Sequence, residues 1–336
     1  MYKYKIFNNI AEAGIRIFAD NNFILDEANP DALMLRSKVL LKEDLSDSLY
    51  CIGRAGAGTN NIPIEEATNK GIVVFNTPGA NANAVKELVV CGMLLASRGI
   101  IQGNIYSQSL SGQDSEELNK SMEAQKKSFK GNELKGKTLG IIGLGSIGSL
   151  LAQTAEVMGM KIIGYDPYIS IDAAWRLPKD VEKADSMKML LSNSDYISIH
   201  VPLVKDTKDL INKESLKFFK KGSKLINLSR GGIVNNEDIV EALNSKIIEK
   251  FVTDFPTPEM VKRSIEFSDV ILLPHLGAST KEAEVNCAIM AAEQAAKFLR
   301  DGEINNSVNF PKVRLGRSTN FRLVIIHKDE PGVIGS

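Results

Sequence analysis

Residues 138–166 read TLGIIGLGSIGSLLAQTAEVMGMKIIGYD, and this stretch decides the fold. TLGIIG (138–143) is an apolar run of strand length. Gly143, Gly145 and Gly148 follow it as GxGxxG, and a helical pattern opens at the same point. Each glycine has a separate physical reason. Gly143 permits a tight turn, Gly145 lets backbone approach a pyrophosphate, and Gly148 lets helix and strand pack closely. The helix N-terminus then offers unpaired N–H groups and partial positive charge to phosphates. A second strand, MKIIGYD (160–166), ends in Asp166. A carboxylate there accepts both ribose hydroxyls of NAD and repels the extra phosphate of NADP. Strand, turn, helix, strand and terminal acid in that order point to dinucleotide binding. Tyr165 and Pro167 flank the acid and are expected to shape an adenine pocket.

Outward from this unit, strands continue at YISIHV (196–201), KLINLSR (224–230), KFVTDF (250–255) and VILLP (270–274), with helical segments between them. The long helical run 281–302 closes at Gly302. Upstream, YKIFN (4–8), DALMLRS (31–37), LYCIGRAG (49–56) and GIVVFN (71–76) read as strands. Residues 9–20, 62–71 and about 81–98 read as helices. Alternation of this kind predicts an α/β chain with parallel sheets covered on both faces. Residues 102–133 are polar and poor in branched apolar side chains. They are expected to be a connector with one solvated helix, at a domain junction.

In open parallel sheets, ligands bind beyond the carboxyl ends of the strands. In the second series those ends carry His200-Val201-Pro202, Ser229-Arg230-Gly231-Gly232, Asp254 with Glu259 beyond it, and Pro274-His275-Leu276-Gly277. Hydride removal from an alcohol needs a base, and His titrates near working pH. A carboxylate orients that base. An Arg holds a substrate carboxylate through two parallel hydrogen bonds. His275, Glu259 and Arg230 suit these three catalytic roles. His200 is read as a cofactor-pocket residue, and His327 is given no catalytic part.

The 336 residues suffice for two domains, at 43% hydrophobic and 24% charged. Forty-one basic residues balance forty-one acidic ones. Zero net charge argues against a nucleic-acid or membrane-surface partner. No apolar run approaches membrane-spanning length, and MYKYKIFNNIAEAG (1–14) lacks the apolar stretch of a signal peptide. Cys51, Cys91 and Cys287 are scattered, which suits a reducing cytoplasm. With three histidines and no clustered ligands, no metal site is expected.

Together these motifs resemble the D-isomer-specific 2-hydroxyacid dehydrogenases over about residues 1–312. The matching segments include GRAGAGTNNI (53–62), FNTPGANANAVKELV (75–89), GKTLGIIGLGSIG (136–148), INLSRGGIVNNEDIVEAL (226–243), TDFPTPE (253–259) and PHLGASTKEA (274–283). The resemblance implies a Rossmann NAD domain (99–284) inserted into a flavodoxin-like substrate domain (1–98 and 285–312). It puts the family's catalytic Arg, Glu and His on Arg230, Glu259 and His275. Its NAD contacts fall on Thr77, Ser146, Ile147, Asp166, Val201, Leu228, Ser229, Asp254, Gly277 and Ala278, beside the three glycines, His200 and Pro202. Its substrate cradle falls on the backbone of Ala57 and Gly58, with Arg54 and Asn81 nearby. It implies a phosphorylated 2-hydroxy acid as the small-molecule partner and a homodimer; the phosphate is expected first on Arg54, beside the glycine-rich turn, and second on Lys126 and Lys127 of the connector. Two departures stand out. MEAQKKSFKG (122–131) has no Trp, and DFPTPEM (254–260) carries two prolines. The tail 313–336 resembles the beginning of an ACT-like regulatory domain, whose complete form implies a tetramer.

Overall fold

The computed structural model describes residues 1–314, 316 and 323–327. The chain divides into two compact units, Met1–Ala82 with Ala278–Ser336, and Asn83–Gly277.

In the first unit, strands β1 (Lys3–Ile6), β2 (Ile24–Leu25), β3 (Ala32–Leu35), β4 (Cys51–Arg54) and β5 (Val73–Phe75) form one sheet. Its order is β2-β1-β3-β4-β5, and every pairing is parallel. This is the flavodoxin-like order. The helix Lys281–Asp301 returns to this unit and lays Ala291, Ala292, Ala295 and Ala296 into its core. Small side chains allow that close approach. The helix Glu12–Asp20 meets it through Gly14, where a β-carbon would lie 2.7 Å from the Ala288 carbonyl carbon and oxygen. Gly302, at φ 69°, ends the long helix in the left-handed conformation expected of its cap.

In the second unit, β6 (Thr138–Ile142), β7 (Lys161–Tyr165), β8 (Glu182–Lys183), β9 (Tyr196–Ile199), β10 (Ser223–Asn227), β11 (Ile248–Thr253) and β12 (Val270–Leu272) form a second parallel sheet. Its order is β12-β11-β10-β9-β6-β7-β8. The order reverses between β6 and β9, so a crevice opens at the carboxyl end of β6. Both expected folds are present, and the dinucleotide turn sits at this crevice.

Three expectations differ from the structure. The helix Ala82–Ser97 belongs almost wholly to the second unit, where the sequence boundary at 98 gives it to the first. Its Val85, Val89, Met93 and Ala96 pack with Leu139, Ile141 and Val252, so burial rather than sequence order assigns it. The connector holds two helices, Ile100–Ser109 and Ser115–Gln125, followed by a 3-10 turn over Lys126–Phe129. Asp114 caps the second by accepting from the N–H groups of Glu116 and Glu117. The ACT-like start lies mostly outside the described residues, and the described 323–327 form no strand. No helix among the described residues is long and apolar enough to cross a membrane.

Replacing Gly14 by Ala tests the returning helix. Its added methyl meets backbone, so thermal unfolding should show a loss of about 1–3 kcal/mol, the usual cost of overpacking. Unchanged stability would separate the two helices.

Candidate active site

The glycine turn has the geometry that its sequence demands. Gly143 adopts φ +91°, and its N–H donates to the Tyr165 carbonyl at 2.9 Å. A β-carbon there would lie 2.7 Å from the His200 carbonyl oxygen. One on Gly148 would overlap the Gly143 carbonyl oxygen. Gly145 differs, because a β-carbon there meets nothing within 4 Å. It faces open space at the start of the helix Ser146–Val157 and caps it with no side chain. The first-turn N–H groups, including those of Ser146 and Ile147, are therefore left to a ligand.

Asp166 is built into the same turn. Its Oδ2 accepts from Leu144 N–H at 2.8 Å and its Oδ1 from Tyr168 N–H at 3.0 Å. The carboxylate is thus oriented by backbone and keeps lone pairs for hydroxyl donors.

Across the crevice, His200 follows β9. Its Nε2 lies 2.8 Å from Ser198 Oγ, while Nδ1 is enclosed without a hydrogen-bond partner. Burial pushes its pKa down to about 4, so the ring is neutral at working pH. That suits a pocket wall and not a base. Val201 Cγ1 packs near Gly143, and the Val201 carbonyl accepts from Ser229 Oγ at 2.5 Å, which ties the ends of β9 and β10 together.

Asn227 shapes the turn after β10, donating from Nδ2 to the Arg230 carbonyl at 2.9 Å and accepting from Ser229 N–H at 3.2 Å. Leu228 is buried, and the Arg230 guanidinium is exposed beyond the turn. Asp254, at the end of β11, is only 1% exposed. Its Oδ2 accepts from Gly277 N–H at 3.4 Å, and its Oδ1 has no partner. Burial raises its pKa, opposed by the nearby charges of His275 and Arg230. His275 sits beyond β12 at φ +52°, exposed, with the Phe255 ring edge-on at 5.1 Å. Asn227, Gly231, Asp254, Phe255 and His275 share the lining of a cavity of about 460 Å³.

Glu259 is not joined to His275 by a hydrogen bond. Pro258 starts a helix, Pro258–Glu266, capped by Thr257 Oγ1 accepting from Met260 N–H. Met260 is driven into the core, and Glu259 stays exposed in the first turn. The carboxyl group on which the His275 charge acts is instead Asp254, whose pKa it lowers against the effect of burial.

The first unit presents its own strand ends. Arg54 ends β4, and the loop after it is tied to β5. Thr77 N–H donates to the Gly56 carbonyl at 3.2 Å, and Asn76 Nδ2 donates to the Ala57 carbonyl at 2.7 Å. Thr77 is fully buried, while Gly58, Asn81 and Ala278 are partly exposed. Arg36, at the end of β3, was absent from the sequence-derived site. It lines a polar cavity of about 520 Å³ with Asn8, Asn9 and Ser37, and it pairs with Glu284 at 2.6 Å. The strand-end rule applied to the first series would have found it. Lys126 pairs with Glu123 and Lys127 is exposed on the connector, and neither bonds to Arg230 or His275.

Residues 93–277 match the family described as D-isomer specific 2-hydroxyacid dehydrogenase, NAD binding domain. The chain belongs to this family. The glycine turn lies within the matched NAD-binding domain. A D-3-phosphoglycerate dehydrogenase of Methanocaldococcus jannaschii is 36% identical over 95% of this chain and 60% of that protein. A hydroxypyruvate reductase of Thermotoga maritima is 38% identical over 80% of this chain and 85% of that protein. The crystal structure of an NAD+-bound 3-phosphoglycerate dehydrogenase from Entamoeba histolytica superposes with a TM-score of 0.71 at 26% identity, covering 92% and 99% of the two chains. The chain spans three-fifths or less of the first curated relatives it matches, at 60, 59 and 54% of their lengths.

His200 predicts a pH dependence in this dehydrogenase-family fold. Its folded pKa of about 4 lies below the ordinary 6.5. The unfolded chain therefore takes up the proton first, and stability present above pH 6.5 is lost as pH falls toward 4. About 3 kcal/mol is the upper scale for this group. Unfolding measured between pH 7 and 4 should lose part of its slope in His200→Gln, and an unchanged slope would remove His200 from the account.

Proposed function

We propose that this protein oxidises 3-phosphoglycerate to 3-phosphohydroxypyruvate with NAD, the first step of the phosphorylated route to L-serine. The observation that carries the reading is the meeting of Arg230, Asp254 and His275 at the carboxyl ends of β10, β11 and β12, in the unit that holds the glycine turn. The names of relatives spanning most of this chain supply the substrate.

NAD, when bound, supplies the hydride acceptor. Ser146, Ile147 and the open face of Gly145 take its pyrophosphate, and Asp166 takes the ribose hydroxyls. Val201, Pro202, Leu228 and Ser229 form the wall beyond them. Asp254, Gly277, Ala278 and Thr77 complete the set. Arg230 holds the substrate carboxylate and the oxygen that becomes a carbonyl. His275 takes the hydroxyl proton at a ring nitrogen. Its exposure leaves the ring within reach of a substrate hydroxyl. The reading gives Glu259 the task of orienting His275, which requires the loop around Pro256 and Pro258 to bring it there.

The first unit is assigned to substrate, through Arg54, the backbone of Ala57 and Gly58, and Asn81. Arg36, which lines a polar cavity of the same unit, is a second phosphate candidate beside Arg54, while the connector leaves Lys126 and Lys127 exposed. We also assign the protein to the cytoplasm, where its free Cys51, Cys91 and Cys287 stay reduced, and to a homodimer.

The runner-up is a reductase of hydroxypyruvate or glyoxylate, or a dehydrogenase for another 2-hydroxy acid. All would use Arg230 and His275. NADH formation with 3-phosphoglycerate, against unphosphorylated D-glycerate, separates them. Turnover preferring the phosphate ester supports the reading, and turnover with D-glycerate alone overturns it. In His275→Ala turnover should fall by roughly 10²–10⁴-fold, the usual worth of a positioned acid–base group, while NADH still binds. Near-normal turnover would move the base elsewhere.

A further inference from the structure

The loop after β4 contains a contact that no catalytic role requires. The Arg54 guanidinium lies across the α-carbon of Gly56. A β-carbon on Gly56 would overlap Arg54 Nη1 and stand 2.8 Å from Cζ. Gly56 is at φ +154°, and its backbone is pinned. Its N–H donates to the Arg54 carbonyl at 2.9 Å, and its carbonyl accepts from Thr77 N–H. The preceding Ala55 is buried and donates from its N–H to the Leu35 carbonyl at 2.8 Å. The following Ala57 carbonyl is held by Asn76. With the loop fixed at 55, 56 and 57, a side chain at 56 must displace the guanidinium rather than the backbone.

We infer that Gly56 is a positioning residue for substrate recognition: its missing side chain lets the Arg54 guanidinium lie against the loop, beside Ala57 and Gly58. A long Arg side chain loses rotamer freedom when it grips an anion. Seating it beforehand removes part of that cost. Arg36 is held by an ion pair to Glu284, and the buried Cys287 thiol feels the charges of both arginines. Arg54, seated against Gly56, is thus placed at the loop that the reading gives to an anionic group of the substrate, carboxylate or phosphate. This inference rests on the reading that Arg54 contacts substrate.

Four proteins test it: unaltered, Gly56→Ala, Arg54→Ala and the double variant. The backbone cost of Ala at a positive φ is common to both backgrounds and cancels in the cycle. The loss of Tm caused by Gly56→Ala should therefore shrink when Arg54 is already Ala. An equal loss in both backgrounds overturns the steric contact, with no substrate involved. Folding of Gly56→Ala only in the Arg54→Ala background is the same coupling at its largest, and failure in both overturns it. In turnover, Gly56→Ala should raise KM for 3-phosphoglycerate roughly tenfold, the scale of one charge-assisted hydrogen bond, with kcat nearly unchanged. The double variant should be no worse than Arg54→Ala. KM effects that multiply would deny the positioning role. If the unaltered protein forms no NADH from 3-phosphoglycerate, the substrate reading fails while the Tm cycle still decides the contact.

Discussion

The approach of Gly148 to the Gly143 carbonyl is the constraint on which the second unit depends. No other residue type fits, because a β-carbon at 148 would overlap that oxygen. The contact lets the helix Ser146–Val157 start directly over the end of β6. Leu144 N–H, donating to Asp166, then locks the turn to the end of β7. Because every strand of this sheet is parallel, the ends of β9, β10, β11 and β12 finish on the same edge. The glycine contact thus sets where the open helix N-terminus lies, and the parallel sheet sets which side chains share its edge.

Electrostatics then separates the charged and histidine side chains at that edge. His200 is buried and kept neutral, and Asp254 is buried with its pKa raised. His275 is left exposed in a left-handed backbone conformation, which costs a non-glycine residue about 1–2 kcal/mol. A fold tolerates such strain where geometry is needed more than stability. Two histidines of the same sheet edge therefore stand in opposite surroundings, one buried and one exposed.

Much of this was legible in the sequence. The strand–turn–helix–strand run with Asp166 carried the NAD-binding domain, and the strand-end residues named from the second series do finish on one edge of its sheet. What escaped has physical causes. β2 and β8 are two-residue edge strands, too short to leave a periodic pattern. The second connector helix buries none of its residues, Leu118 and Met122 included, and rests on its Asp114 cap rather than on a buried stripe. The helix Ala82–Ser97 follows the first series in sequence yet buries its face in the second unit, which no local pattern reveals. Glu259 keeps its place in the motif, but Pro258 begins a helix there and turns register into a different position. The Gly56–Arg54 contact is invisible in GRAGAG, because spacing does not tell where a guanidinium folds.

The most direct test of the account is NADH binding to Gly145→Val, followed by fluorescence titration beside a thermal unfolding curve. Gly145 has negative φ and open space at its β-carbon, so the fold should keep its stability. The same space is assigned to the pyrophosphate, so affinity should fall by about a hundredfold, the equivalent of roughly 2.7 kcal/mol. Unchanged NADH affinity in a folded Gly145→Val protein would contradict the assignment of the glycine turn, and with it the reading of the whole site.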